Sequence, residues 1–137
     1  MTHCYQNLKK LVMKSKYRKL EALYSKIPRI DCQGLCHESC TIVPASKIEM
    51  KRARERMGKN PFNPIVASRK LQSLPDTTKI PSCQALSEGR CSIYNIRPAI
   101  CRIYGVAQGL ECPFSCKSDK EMTKEEAYAL IREIEAL

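Results

Sequence analysis

Residues 83–116 read CQALSEGRCSIYNIRPAICRIYGVAQGLECPFSC, with cysteines at 83, 91, 101, 112 and 116 separated by seven, nine, ten and three residues. A second block lies upstream, where Cys32, Cys36 and Cys40 follow a C-x3-C-x3-C spacing. Eight of the nine cysteines in the 137-residue chain fall in these two blocks, and Cys4 stands apart. Soft thiolates select zinc, copper(I) or iron–sulfur clusters. Eight is also the number that two four-thiolate sites require, whether tetrahedral zinc or 4Fe-4S cubanes. Two other readings accompany this one. Disulfides suit an oxidising compartment, and buried free thiols act as small hydrophobes. Grouping into two blocks and an odd total favour ligation over both.

Around the blocks, helix signals dominate. In residues 4–27 the apolar positions Tyr5, Leu8, Leu11, Val12, Leu20, Leu23, Tyr24 and Ile27 recur mostly at three- and four-residue steps, with Lys and Arg between them. They predict an amphipathic helix ended by Pro28. Ser46 with Glu49 three residues later forms a capping box, and Gly58 stands where a C′ glycine belongs, so a helix is expected over Lys47–Met57. Pro98 at a helix start and Gly105 at its end predict a short helix over 98–104. Thr123 with Glu126 opens the last helix, 123–137, whose apolar stripe is Ala127, Leu130, Ile131, Ile134 and Leu137.

Strand signals are weak, confined to Thr41–Val43 and Ser92–Tyr94, and Ser87-Glu88-Gly89-Arg90 reads as a turn. Residues 59–82, punctuated by four prolines, read as a long connection with room for one short helix near 64–73. Residues 32–40 fit a helix that stacks the cysteines on one face, or equally a loop at Gly34. The expected architecture is one mainly α domain over 1–137: a basic helix 4–27, a cysteine-cluster region 30–116 and a C-terminal helix 123–137. Irregular cysteine-rich loops are stapled by metal or iron–sulfur sites.

Length excludes a large multidomain enzyme, and 43% hydrophobic residues exclude a disordered tail. With 6% aromatics and no Trp, the core must lean on aliphatic side chains. No apolar run is long enough for a transmembrane helix or an export signal, so a cytoplasmic location without membrane contact is expected. The formal charge is +10, and residues 1–82 carry all of the excess. Such a surface attracts nucleic acid or an acidic protein. Lys9, Lys10, Lys14, Lys16, Arg18 and Lys19 are the candidate contacts on the first helix, and Lys51, Arg52, Arg54 and Arg56 on the second. Only His3 and His37 are available as imidazole bases, and no phosphate-cradling glycine loop is present, which leans against an enzyme. The oligomeric state is not legible.

Cys91, Ile93, Tyr94, Arg97, Pro98, Cys101, Arg102 and Tyr104 match in register a pattern close to C-x-I-Y-x-x-R-P-x-x-C-R-x-[FY]. Through it, residues 30–116 resemble the YkgJ family, the cysteine-cluster proteins named for a CxxCxxCC string. The chain departs from that family in the three-residue gaps of its first block, in Thr41 where a second adjacent cysteine is common, and in Gln84 after Cys83. The resemblance implies a zinc- or iron-chelating domain and no particular reaction; a related cluster domain occurs inside a flagellin lysine methylase. On this reading the ligands are Cys32, Cys36, Cys40, Cys83, Cys91, Cys101, Cys112 and Cys116. Arg97 and Arg102 offset the surplus thiolate charge by donating to sulfur, and Tyr94 and Tyr104 wall the site from water. Zinc and an iron–sulfur cluster both remain open. The functional expectations are a metal-stapled binding or accessory module docking through its basic half, or an iron–sulfur redox or metal-handling protein accessory to a modifying enzyme.

Overall fold

Helix α1 spans Thr2–Tyr24 in the computed structural model, which describes residues 2–32, 34, 40–41, 43–64 and 82–137. It stops short of the expected Ile27 because the chain leaves through tightened turns. The N–H groups of Lys26 and Ile27 donate to Leu23 and Tyr24 carbonyls three residues back, at 3.1 and 3.0 Å. Its apolar residues do not form one continuous buried stripe. Leu20 and Tyr24 are buried at 0% and 5% exposure, whereas Tyr5, Leu8, Leu11 and Val12 are 49–63% exposed. The reason is length. At 1.5 Å per residue, α1 reaches about 35 Å, nearly twice the ~18 Å of the helix it packs on, so its N-terminal half outruns the core.

After β1 (Pro44–Ala45), helix α2 occupies Lys47–Met57, the span its capping signals predict. Ser46 accepts from the Glu49 N–H, Glu49 returns a carboxylate to the Ser46 N–H, and Gly58 closes the helix at φ +77° with its N–H on the Arg54 carbonyl. Strand β2 (Asn63–Pro64) pairs in parallel with β1. Strands β3 (Leu86–Ser87) and β4 (Arg90–Cys91) form an antiparallel hairpin. Its two loop residues, Glu88 and Gly89, both have positive φ (51° and 75°), the conformation a two-residue primed turn requires. A 3-10 turn, Tyr94–Ile96, leads to α3 (Ala99–Ile103), and α4 spans Lys124–Glu135 behind the Thr123–Glu126 capping box.

The weak strand signals are displaced. Thr41 makes a single bridge to Ser82, and the strand is Pro44–Ala45. The second strand ends at Cys91 because Ser92 turns both its N–H and its hydroxyl onto the Ala85 carbonyl, at 2.8 and 2.7 Å. Pro98 stands one residue before α3 as its N-cap, not inside it. The helix expected near 64–73 falls almost entirely outside the described residues.

Two apolar clusters result. One gathers Leu20, Tyr24, Ile48, Ile103, Val106, Met122, Leu130 and Ile134 from all four helices and the loop after α3. The other is smaller: Ala45, Ala53, Phe62, Ala85, Ile93 and Ile96, with Cys83 and Cys91 packed against it. Helix α2 contributes Ile48 to the first and Ala53 to the second, so it joins the helical core to the cysteine region. Among the described residues no helix is long and apolar enough to cross a membrane.

Gly105 sits just past α3 at φ +85°, and its N–H donates to the Leu110 carbonyl at 2.6 Å. A Cβ added there would lie 2.6 Å from Ile30 Cδ1 and 3.5 Å from Cys112 Cβ. Gly105→Ala therefore loses about 1–2 kcal/mol from the left-handed backbone alone. The check is a lower urea midpoint at unchanged slope.

Candidate metal centre

Backbone pairing determines which cysteines meet. The Thr41–Ser82 bridge is antiparallel, and the Cys83 N–H donates to the Cys40 carbonyl at 2.9 Å, so Cys40 and Cys83 stand opposite each other. Ile30 bridges Ser118 in the same sense, flanked by Asp31 N–H to Lys117 and Asp119 N–H to Arg29. Cys32 and Cys116 lie two residues beyond that bridge on the two segments it joins. The β3–β4 hairpin returns Cys91 toward Cys83: Leu86 pairs with Cys91, and the Leu86 N–H donates to the Cys83 carbonyl at 3.0 Å. Cys101 arrives on α3.

These segments enclose a cavity of about 180 Å³. Six of the expected ligands line it: Cys32, Cys40, Cys83, Cys91, Cys101 and Cys112. Tyr94, Tyr104, Phe62, Pro98 and Ile100 supply apolar wall, and Arg97 is the one cation among the described lining residues. Cys116 is outside the lining but hydrogen-bonds through its thiol to Cys112. Cys36 lies outside the described residues. Cys4 is exposed on α1. None of the described cysteines is joined in a disulfide. The sulfurs face one space without closing on a single point: among the described residues no three ligand-type side chains stand in one coordination sphere.

Main-chain N–H groups are aimed at the sulfurs. Gly34 donates to Cys32 Sγ at 3.3 Å, Ile93 donates to Cys91, and Phe114 and Cys116 both donate to Cys112. In three cases the donor lies two residues beyond the cysteine. A thiolate accepts far better than a thiol, so the donors at Cys91 and Cys112 favour the ionised, metal-ligating form. At Cys112 burial works against ionisation, but these bonds outweigh it and the pKa falls. Deeper in the site the balance reverses. Burial, followed by the Cys83, Cys91 and Cys40 thiols, pushes Cys101 up to about 12, with Arg97 pulling the other way. Burial also raises Cys91, the Ile93 N–H and Arg97 opposing it. These donor atoms fit a soft cation: thiols that resist ionisation by themselves become favourable ligands once a cation compensates their charge.

A pH dependence follows. Near neutrality the metal-free Cys91 and Cys101 hold their protons, and ligation must expel them. Metal affinity therefore rises with pH and falls on acidification. Titrations at about pH 6 and pH 8 should show tighter binding at the higher pH, with proton release visible as a buffer-dependent heat.

The two expected arginine partners separate. Arg97 lines the cavity, stacks 3.8 Å over the Tyr94 ring and donates to the Tyr94 carbonyl at 3.0 Å. Arg102 points elsewhere. It donates to the carbonyls of Arg97 and Asn95, at 2.8 and 3.1 Å, and lies 3.9 Å over Tyr24. It positions the loop that carries Arg97 and is not among the residues bordering the sulfurs.

Glu49 has a second role that its capping signal did not disclose. Its buried carboxylate accepts from Tyr24 Oη at 2.6 Å and from the Ala99 N–H at 2.7 Å, besides the N–H and hydroxyl of Ser46, each at 2.9 Å. One carboxylate thus caps α2, receives the first N–H of α3 two residues before Cys101, and anchors α1. Burial, followed by the charge on Glu49, drives the Tyr24 phenol pKa far up, so it remains a donor.

The sequence matches the model of the CxxCxxCC family, described as "Putative zinc- or iron-chelating domain", over residues 31–130. That description supports a metal-binding role for the cysteine region. No curated protein and no solved structure matches the chain.

Proposed function

The chain belongs to the CxxCxxCC family, and on that premise we propose that it is a thiolate-ligated metal-binding module, holding zinc or iron through cysteines of both blocks and docking on a partner through its basic N-terminal half. The observation that carries the metal reading is the cavity. Six cysteines drawn from residues 32–112 border one space, and backbone donors favour the thiolate at Cys91 and Cys112. When bound, the metal supplies a crosslink between segments far apart in sequence. The protein's residues orient the sulfurs, border them with the rings of Tyr94 and Tyr104, and place the Arg97 charge beside them. Anaerobic purification with metal and acid-labile sulfide analysis tests it. The expected result is near-stoichiometric zinc, or iron with sulfide. A folded protein without either contradicts it.

A polynuclear reading has its own support. A lone tetrahedral zinc draws its sulfurs to about 2.3 Å, whereas these thiols border some 180 Å³. A space of that size has room for an iron–sulfur cluster, and such a cluster would bring a redox or metal-handling role beside a modifying enzyme. A colourless zinc protein lacking sulfide ends this second reading.

For docking, the exposed half of α1 combines Tyr5, Leu8, Leu11 and Val12 with its lysines, and Lys9, Lys10, Lys14 and Lys51 border a groove between α1 and α2. A nucleic acid or an acidic protein surface complements that charge. Binding that weakens steeply with salt is the expected signature.

A further inference from the structure

The cysteines around the cavity fall into two sets, and we propose that each holds its own metal: Cys40, Cys83, Cys91 and Cys101 form one ligand quartet, while Cys32, Cys112 and Cys116 belong to a second metal position beside it. This division rests on the thiolate reading above and concerns how the ligands are shared.

Three observations carry it. First, the upstream block is split by backbone register. Cys40 faces Cys83 across the Thr41–Ser82 bridge, while Cys32 and Cys116 lie two residues beyond the separate Ile30–Ser118 bridge, on the two segments it joins. Second, each pair acquires its own further members. The hairpin returns Cys91 to Cys83, and Cys101 interacts electrostatically with Cys83, Cys91 and Cys40. On the other side, the loop 112–116 folds on itself, with Ser115 at φ +62°, so that the Cys116 thiol and the N–H groups of Phe114 and Cys116 all reach Cys112. Third, charge argues against one shared ion. Seven thiolates around a single divalent cation leave a large negative surplus, and Arg97 is the one cation among the described lining residues. A second divalent cation lowers that surplus by two charges. A quartet of thiolates already completes a tetrahedral zinc or one cubane, so further sulfurs are free for a second centre.

The test compares the anaerobically purified full chain with its C112S/C116S double variant. Native mass spectrometry, with metal and sulfide analysis, counts the centres. Two centres are expected in the wild type and one in the variant, with helical circular dichroism retained. A variant that fails to fold is bypassed by footprinting the wild type. Metal is added in sub-stoichiometric steps, exposed thiols are trapped by alkylation, and protected sites are mapped by peptide mass spectrometry. Cys40, Cys83, Cys91 and Cys101 should become protected as a set, independently of Cys32, Cys112 and Cys116. One centre per chain, or all seven thiols protected in proportion, overturns the division while leaving the metal reading standing. A wild type that takes up neither zinc nor iron overturns both.

Discussion

Stripping the metal from the protein is expected to unfold it. With all of the metal gone the helical circular dichroism collapses, and the cooperative urea transition is lost. The argument is one of magnitude. A structural thiolate site contributes on the order of 10 kcal/mol or more at neutral pH, while a domain of this size has a net stability of about 5–15 kcal/mol. The cysteine region has little to replace that contribution. Its apolar cluster comprises three alanines with Phe62, Ile93 and Ile96, and its strands are two residues long. The contacts that bring Cys40 to Cys83, and the segment of Cys32 to that of Cys116, rest on isolated bridges, which hold little by themselves. Readdition of metal under reducing conditions restores the signal. Unchanged dichroism after verified metal removal would show that apolar packing alone sustains the fold.

The second large effect is expected at Glu49. Glu49→Ala leaves the Ser46 N–H, the Ala99 N–H and the Tyr24 hydroxyl without their shared acceptor in a buried setting. Each orphaned donor costs about 1–3 kcal/mol, so a loss of at least about 3 kcal/mol is expected in urea unfolding of the metal-loaded protein. The α3 start loosens with it, and Cys101 follows. Glu55 provides the contrast: on the same helix it is half exposed, bonded to Tyr17 and Lys51 at the surface, and Glu55→Ala costs under about 1 kcal/mol. Equal losses at the two positions would remove the reason for assigning Glu49 a joining role.

What was legible in the sequence was local. Ser46, Glu49 and Gly58 fix both ends of α2 through contacts that span three or four residues, and Thr123 with Glu126 does the same for α4. Gly105 and the Glu88-Gly89 turn are likewise decided by backbone conformations that their own residues favour. The candidate ligands were named from residue type and grouping, and six of the eight border the cavity. Long-range features were not legible. No spacing discloses that Cys40 faces Cys83 or that the segment of Cys32 bridges that of Cys116, since register between distant segments is set by the whole fold. Apolar periodicity in α1 correctly announces a helix. It does not reveal that Tyr5, Leu8, Leu11 and Val12 extend past everything they might pack on. Arg97 and Arg102 are indistinguishable as sequence, and only the location of Tyr24 beneath Arg102 separates a loop clamp from a neighbour of the thiols.

X-ray absorption at the edge of the bound metal, measured on the anaerobically purified chain, tests most directly whether cysteine sulfur holds the ion. A first shell of sulfur alone is predicted, near 2.3 Å if the metal is zinc. A first shell dominated by nitrogen or oxygen would contradict it.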